Sequence, residues 1–473
     1  MAVGIAIFNW IITAGFTNIN YSIAFITGIC FWLVGILAMH QVKLSVEQNT
    51  PAVIHQTIFV FFVINAVVSL AVYLIIVYKT GTINPYLYQG EYQKYFIGTG
   101  DYIKGISFDT STTNAVLNAF GVIYFLTHKN GLMVALCMVI LLLTGSNITN
   151  LLLCAAFLFI FIFQSDKDQK SLILICLLIL VIFQAKISPQ NNNYVVNSFE
   201  NAFSKPDNTT ASNILLPIRQ RLDSTLTTEE RKEKVAILYL DSLYHLRIEK
   251  QKQIIPHTAL LMEKPVLPAP NINTPPYQHK SIVTPVEEKM LQFIHTHSAE
   301  LPMSSDNDYH PKFPGKIIAW GQTFDYLTQH PSKMIMGSGI GNFSSKLAFR
   351  TTGMKIYGSY SERYKYMNEA FVSNNLDLYL YYFSKEDGLH SLANSPNSVY
   401  NQLLCEYGLT GLLGFIIFYL GFFFRQIKKL TYGIPLLLLL SGIFFVDYWF
   451  EQLSIVVFFE LLLFLNIKEE AKK

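Results

Sequence analysis

The sequence predicts an all-α polytopic membrane protein with about ten transmembrane helices and a large, partly helical extracytoplasmic loop domain between helices seven and eight. Of the 473 residues, 51% are hydrophobic and only 14% are charged, which is too apolar for a soluble protein of this length. The apolar residues fall in long uncharged runs, and a helix needs about 20 such residues to cross a bilayer. One long polar stretch separates the seventh run from the eighth, and it predicts a separate lobe.

Charge and cysteine content argue against two other classes of protein. The net charge is only +3 and no dense basic block alternates with aromatic residues, so nucleic-acid binding is not expected. All five cysteines lie in apolar runs without a Cys-x-x-Cys spacing. We interpret them as small buried residues and not as zinc or redox ligands.

The apolar runs define the predicted helices and three regions of the chain. The runs cover residues 2–17, 21–39, 53–78, 112–127, 131–144, 147–163, 170–186, 398–424, 432–447 and 451–466. The first run begins near Met1 without a basic region or a small-residue cleavage site, so a helix is expected there and not a signal peptide. Residues 1–186 then hold helices one to seven, residues 187–396 the lobe, and residues 397–473 helices eight to ten.

Basic residues in the short loops predict the orientation of the helices. If the ten runs alternate in direction, these loops fall on one side of the membrane, and that side is expected to be cytoplasmic. The basic residues belong to Lys43 and to segments 127–130, 165–170, 425–429 and 468–473. The opposite side then carries residues 79–110, the turn at Ser146 and Asn147, the segment 188–396 and the turn 447–451.

Local signals divide the long segment. Thr227 and Glu230 form a capping box before an amphipathic stretch, and a Pro-rich passage over 263–280 predicts an extended linker. Residues 315–331 have helical periodicity. The following MGSGIGNF, residues 336–343, predicts a glycine turn, and its glycine spacing does not fit a dinucleotide-binding fingerprint.

Four sets of polar residues lie at helix ends on the expected outer face. They are Lys104 and Asn114, Ser146 and Asn147, Asn397 with Gln402 and Glu406, and Asp447 with Glu451. Taken singly, each has an ordinary structural interpretation as a loop charge, a helix cap or an interfacial carboxylate. Because all four sets share one face, they predict a polar site that opens outward.

Glu406 is placed unusually deep for a carboxylate. It follows Asn397 by nine residues in the eighth helix, which is roughly 13 Å at 1.5 Å per residue. A carboxylate that faces lipid at that depth is costly. Glu406 is therefore expected to face the bundle interior or a wet cavity and to have a partner.

A tyrosine-rich stretch, residues 358–371, places Arg363 and Lys365 among aromatic side chains. This composition suits stacking on sugars and pairing with phosphate. A tyrosine surface used only for packing is the alternative interpretation.

Two blocks of sequence, residues 316–343 and 395–415, resemble the O-antigen ligase and polysaccharide polymerase superfamily of bacterial membrane proteins. That family has a Trp-containing helix, a His-Pro pair, a Gly-x-Gly-x-x-x-Phe turn and a later Pro-His-Asn-x-Tyr-Leu-Gln-x-Leu-x-Glu-x-Gly motif. The matching residues are Trp320, His330, Pro331, Gly337, Gly339, Gly341, Phe343, Pro396, Tyr400, Gln402, Leu404, Glu406 and Gly408. The segment 103–115 also looks like the family's Arg-x-Gly-x-Phe segment, and elsewhere the agreement is one of topology.

The resemblance implies transfer of a glycan from an undecaprenyl-diphosphate carrier to a hydroxyl of a lipid or glycan acceptor. It places the reaction at the periplasmic face of the bacterial inner membrane, in the synthesis of cell-envelope glycans such as lipopolysaccharide, with no cofactor and no metal ion. Such a reaction needs fixed cations for the leaving diphosphate and a base for the hydroxyl. The cation candidates are Lys104, Arg350 and Arg363; the base candidates are Glu406, His390 and Asp447; Asn397 positions the acceptor, with Asn147 and Gln402 as further substrate contacts.

Two departures from the family pattern leave alternatives open. The family's catalytic histidine aligns with Asn397, and an arginine often found in the family aligns with Asn147. The chain is then either an enzyme that uses other groups or a catalytically altered or inert relative, a membrane-anchored glycan-binding protein. Ligase and polymerase are not separated by the sequence, whereas a transporter is disfavoured because the polar residues lie on one side and no repeat is visible.

Overall fold

A computed structural model of the chain describes residues 2–87, 99–107, 110–188, 315–352, 360–375, 378, 395–451 and 453–471. This described part is 82% helix and contains no strand, which confirms the all-α class. Most of the predicted lobe lies outside the described residues, including the capping box at Thr227 and Glu230 and the base candidate His390.

The helices follow the predicted apolar runs closely. In chain order they are α1 Ala2–Ile12, α2 Ile19–Gln48, α3 Pro51–Thr80, α4 Ser111–Thr127, α5 Gly131–Leu143, α6 Asn147–Phe163, α7 Lys167–Ile182, α8 Gly315–Gln329, α9 Pro331–Met336, α10 Lys346–Thr351, α11 Glu369–Asn374, α12 Val399–Gly414, α13 Gly421–Arg425, α14 Gly433–Ile443 and α15 Leu453–Glu470. A π-helical turn, Phe183–Ile187, extends α7, and another, Phe415–Leu420, joins α12 to α13.

Within the described residues, four helices are long and apolar enough to cross a membrane, which supports a multi-pass membrane protein. They are Ile19–Gln48, Pro51–Thr80, Lys167–Ile187 and Val399–Arg425. The other predicted runs also form helices, but several are shorter than a bilayer requires. The total of ten transmembrane helices therefore stays a prediction.

The distribution of polar and apolar side chains along α3 is the reverse of that in a water-soluble helix. Val67 and Leu74 are 62% and 64% exposed, whereas Asn65 and Ser69 are 1% and 0% exposed. An outward apolar face is stable in lipid, and buried amides need partners inside the protein. The pattern indicates a helix with lipid on one side and a polar interior on the other.

Capping residues mark where helices begin. Asp166 and Gln169 form a capping box at α7, in which the Gln169 N–H donates to Asp166 at 2.9 Å and the Asp166 N–H donates to Gln169 at 3.0 Å. Ser146 precedes α6 as predicted. Its hydroxyl contacts Thr149 Oγ1 at 2.8 Å, however, and caps no backbone N–H.

The chain divides into two compact units. The first contains residues 1–29 and 197–412, and the second contains residues 30–196 and 413–473. In the second unit α4 is enclosed, because every residue from Ser111 to Leu126 is buried. The first unit has a core of apolar side chains from α8, the glycine turn and α12, namely Tyr326, Leu327, Phe343, Leu404 and Cys405.

Candidate functional site

The two blocks of sequence that carry the family resemblance pack against each other in the first unit. Lys316, the second residue of α8, donates from Nζ to the main-chain oxygens of Ser395 at 3.0 Å and Asn397 at 2.6 Å. Two turns further along α8, the Thr323 hydroxyl donates to Asn401 Oδ1 at 2.5 Å. Polar contacts at two levels of α8 therefore hold the segment before α12 and the first turn of α12.

The predicted glycine turn is confirmed, and it binds α12 through main-chain hydrogen bonds. Gly337, Gly339 and Gly341 all have positive φ. The Ser338 N–H donates to the Cys405 oxygen at 2.8 Å, and the Gly339 N–H donates to the Glu406 oxygen at 3.0 Å. The turn therefore lies directly on the main chain that carries Glu406.

Two glycines allow this close approach. Gly337 (φ +79°, ψ −178°) and Gly408 (φ +70°, ψ −174°) adopt a conformation that is almost restricted to glycine. A Cβ on Gly337 would overlap the main chain of Glu406 and Tyr407, and one on Gly408 would overlap the carbonyl group of Ile335. Main-chain packing is therefore the physical reason for glycine at both positions.

The Glu406 side chain faces the glycine turn and is only 1% exposed. The Phe343 N–H donates to Oε1 at 3.4 Å, and the carboxylate also interacts with the N–H groups of Gly341 and Ser345. Within the described part of the chain, the other carboxylate oxygen of Glu406, Oε2, is buried and makes no hydrogen bond of standard geometry. As expected, Glu406 faces the protein interior and has a partner; in this conformation it is closed to solvent.

The start of the chain completes the polar surroundings of the turn. The Asn9 amide donates to the Gly337 oxygen at 3.0 Å. The Asn342 amide donates to the Tyr21 hydroxyl at 3.0 Å, and the Tyr366 hydroxyl donates to Asn342 Oδ1 at 2.9 Å. The rings of Tyr21 and Tyr366 are stacked with centroids 4.7 Å apart. Tyr366, at least, is therefore a tyrosine of the 358–371 stretch that packs inside the first unit.

The predicted cations Arg350 and Arg363 are both exposed. The Tyr360 N–H donates to the Arg350 oxygen at 2.9 Å, which fastens the segment 360–366 beside α10. The Arg363 guanidinium lies 5.5 Å from the centroid of the Tyr364 ring, a cation–π distance. The two arginines thus belong to adjoining segments of the first unit and are open to a solvent-borne anion.

Asn397 and Gln402 are buried side chains, 4% and 9% exposed. Lys316 fixes the main chain of Asn397. The Gln402 N–H donates to the Ser398 oxygen at 3.0 Å, the first hydrogen bond of α12. Neither side chain is open to solvent, so a substrate contact at either position needs the surrounding segment to move.

Lys104 is an exposed residue on a turn that a buried amide network holds in the second unit. The Asn114 amide donates to the Ile103 oxygen at 3.0 Å, and Asn65 Oδ1 accepts the Ile106 N–H at 3.1 Å. The Asn65 amide donates to Asn114 Oδ1 at 2.8 Å and joins the two anchors. The main chain on both sides of Lys104 is therefore fixed while the lysine remains exposed.

Asn147 and Asp447 have protein partners in the second unit. Asn147 Oδ1 accepts a hydrogen bond from Gln184 Nε2 at 3.0 Å. Asp447 is 8% exposed, and its Oδ1 accepts the Tyr448 N–H at 2.8 Å. Both side chains therefore have hydrogen-bond partners within the protein, and their role in substrate binding stays a prediction.

The predicted site residues belong to both units. Asn397, Gln402, Glu406, Arg350 and Arg363 belong to the first, and Lys104, Asn147 and Asp447 belong to the second. The structure brings Asn397 and Glu406 together with the glycine turn and α8.

Sequence reasoning missed Lys316, the cation that binds the Asn397 main chain. A signal was present, because a lysine in the first turn of a helix opposes the helix dipole and therefore needs a partner outside the helix.

Comparison with known proteins finds no matching family model, no matching curated protein and no matching solved structure. The family resemblance accordingly rests on the residues of the two blocks.

Proposed function

We propose that the protein is a membrane-embedded glycosyltransferase that moves a glycan from an undecaprenyl-diphosphate carrier to an acceptor hydroxyl at the periplasmic face of the bacterial inner membrane. One observation supports this most directly: the blocks 316–343 and 395–415, which carry the resemblance, pack together around the buried carboxylate of Glu406. Residues of one site are expected to be neighbours in space.

The proposed reaction is a displacement at the anomeric carbon of the carrier-linked sugar. The acceptor oxygen attacks that carbon, the bond from carbon to the diphosphate oxygen breaks, and its electron pair leaves with the carrier diphosphate. The hydroxyl proton passes to a base. Fixed cations stabilise the charge that develops on the diphosphate, and Arg350 and Arg363 are proposed for this role because both are exposed.

Glu406 has two possible contributions under this proposal. In the enclosed conformation it holds the glycine turn through the Phe343 N–H and acts as a positioning residue. To act as the base it has to be reached by the acceptor hydroxyl, which requires the turn 337–343 to open. If the turn stays closed, His390 is the next candidate for the base.

The decisive experiment compares surface glycan in a deletion strain complemented with variants at matched membrane abundance. We expect the double variant Arg350→Ala, Arg363→Ala to lose display and Arg425→Ala, on the expected cytoplasmic side, to retain it. In a polymerase, loss of function leaves single repeats on the surface acceptor; in a ligase, it leaves long chains on the carrier. A deletion strain with the parental glycan pattern would contradict the proposal.

A glycan-binding relative without activity is the second candidate, and the enclosed Glu406 together with asparagine at position 397 favours it. Purified protein reconstituted with carrier-linked glycan and acceptor separates the two. The enzyme is supported if Glu406→Gln reduces transfer more than Asn397→Ala does and if Asn397→His retains transfer. Saturable binding of the donor without transfer supports the binding protein.

The proposed orientation has its own test. In a variant without the five native cysteines, a cysteine at Asn273 should react with an impermeant thiol reagent in cells whose outer membrane is permeabilised. A cysteine at Lys428 should stay unlabelled, because the basic loops are expected to face the cytoplasm. Labelling at Lys428 alone would reverse the orientation and remove the periplasmic site.

A further inference from the structure

A cluster of two histidines and a glutamate joins three distant parts of the second unit. His55 lies in the first turns of α3, His128 follows the last residue of α4, and Glu469 lies in the last turn of α15. Glu469 Oε1 is 2.5 Å from His55 Nε2 and 3.7 Å from His128 Nε2. One ligand atom from each residue lies within 4.8 Å of the others, so all three can reach one small ion.

The remaining polar atoms of the three side chains have partners that orient the cluster. His128 Nδ1 is 2.8 Å from the Tyr124 main-chain oxygen, and His55 Nδ1 contacts the hydroxyl of the same tyrosine. A carbonyl oxygen only accepts, so His128 Nδ1 carries a proton, which in the neutral ring leaves the lone pair on Nε2. The Tyr432 hydroxyl donates to Glu469 Oε2 at 3.1 Å. Outer partners of this kind are typical of metal-binding imidazoles and carboxylates.

We propose that His55, His128 and Glu469 bind a divalent transition-metal ion, with Zn²⁺ as the best match to the donor set. Two imidazole nitrogens and one carboxylate oxygen suit Zn²⁺ and its neighbours, whereas Mg²⁺ and Ca²⁺ prefer oxygen ligands alone. Ligand atoms of a tetrahedral zinc ion lie about 3.3 Å apart. The distances of 2.5 and 3.7 Å from Glu469 Oε1 lie on either side of this value, so small side-chain movements complete the site.

The surroundings of the cluster let an ion enter from water, and they indicate that its binding would connect separate helices. The side chains of His55, His128 and Glu469 are 30%, 31% and 18% exposed. Next to the cluster, Lys468 Nζ donates to main-chain oxygens at the end of α2 and in the turn that follows it, at 2.5 Å for Val46 and 2.6 Å for Asn49. The ion would thus fix the end of α15 to the start of α3 and the end of α4. Its ligands lie on the side expected to face the cytoplasm, so the site is independent of the proposed glycan transfer.

The test uses the purified full-length protein in detergent, stripped with a chelator and then titrated with Zn²⁺ and, separately, with Co²⁺. We expect the protein to retain one ion per chain after desalting, and the Co²⁺ form to show the visible absorption of a tetrahedral ion. His55→Ala, His128→Ala and Glu469→Gln should lose the ion. Tyr432→Phe, which removes an outer partner, should weaken binding by about 10- to 100-fold.

The exposed His40 of α2 supplies the matched control, because His40→Ala removes one histidine elsewhere in the same unit. Zn²⁺ should raise the melting temperature of the unaltered protein and of His40→Ala, but not that of Glu469→Gln, which preserves the shape of the side chain. Binding should weaken in acid, since both imidazoles must be neutral. If the unaltered protein retains no ion, or if the variant that combines His55→Ala, His128→Ala and Glu469→Gln retains as much as the unaltered protein, the three residues form only a hydrogen-bonded cluster and the proposal is overturned.

Discussion

The ammonium group of Lys316 donates a hydrogen bond of 2.6 Å to the main-chain oxygen of Asn397, the residue proposed to position the acceptor. It also binds the Ser395 oxygen at 3.0 Å. One cation therefore holds the segment that enters α12, and the position of Asn397 depends on a residue 81 positions away in the chain.

Lys316→Met should loosen this segment, because two main-chain oxygens lose a charged donor. Hydrogen bonds to charged groups contribute roughly 1.5–3 kcal/mol each, so we expect the free energy of unfolding to fall by about 2 kcal/mol or more. The measurement is thermal or denaturant unfolding in detergent. Lys333 of α9 is only partly buried, and Lys333→Met is the control. Equal stability of the two variants would show that the hydrogen bonds of Lys316 do not stabilise the fold.

Gly337→Ala should be strongly destabilising, whereas Gly321→Ala should be neutral or stabilising. The first places a Cβ against the main chain of Glu406 and Tyr407 at φ +79°, and a non-glycine residue in such a conformation costs about 1–3 kcal/mol before the clash is counted. The second lies in α8 with no heavy atom within 4 Å of the added Cβ, and alanine gains up to about 1 kcal/mol over glycine in a helix. Unfolding curves of the two variants in the same detergent provide the comparison; a similar loss in both would show that the turn tolerates a side chain.

Lys104→Ala is expected to reduce surface-glycan display, because the resemblance implies a cation at this position, and Asn114→Ala should do the same while also lowering stability. The substitution removes the anchor at the Ile103 oxygen and leaves buried groups of Asn65 and Ser69 without a partner, at about 1–3 kcal/mol for each unsatisfied group. Lys104→Ala removes an exposed charge and should leave stability within about 0.5 kcal/mol. Surface-glycan display and melting temperature are measured side by side, with Lys104→Arg expected to keep display. Normal display in Lys104→Ala would show that this lysine is not needed for glycan transfer.

The start of α7 should lose stability in acid. The Lys129 ammonium lies 2.5 Å from Asp166 Oδ2, and its hydrogen bond, followed by that of the Gln169 N–H, lowers the pKa of Asp166 below the usual value. A carboxyl group with a lowered pKa in the fold stabilises it above the unfolded pKa of about 3.9, and this contribution is lost as the pH falls through the lowered value.

We therefore expect Asp166→Ala to lower the melting temperature at pH 7 and to have a smaller effect near pH 3, where the unaltered protein has lost part of the same contribution. Asp166→Asn keeps a capping oxygen, so its melting temperature at pH 7 should lie between those of the unaltered protein and Asp166→Ala. Melting curves across this pH range test the expectation. An identical loss at both pH values would assign the effect to the cap alone and not to the ion pair.

The positions of the helices could be predicted from the sequence because the relevant interactions are local. A backbone in lipid has to satisfy its hydrogen bonds within its own segment, so long apolar runs form helices. The helix over 315–329 and the glycine turn after it were likewise encoded by periodicity and by residues that tolerate positive φ. The inward direction of Glu406 followed from the cost of a carboxylate in lipid.

The partners of the polar residues were decided by the tertiary structure. Asn114 had the local pattern of a residue at a helix start, yet it is the centre of a network that reaches Asn65, 49 residues away. No motif in the sequence identifies the partners of Lys316, or the cluster of His55, His128 and Glu469, because the interacting residues lie in different helices or segments. Which side chains meet depends on how whole helices pack, and packing sums many weak contacts over segments far apart in sequence. The sequence by itself therefore determined where the helices form and which polar residues need a partner, while the packing of α3, α4, α8, α12 and α15 decided which partner each one has.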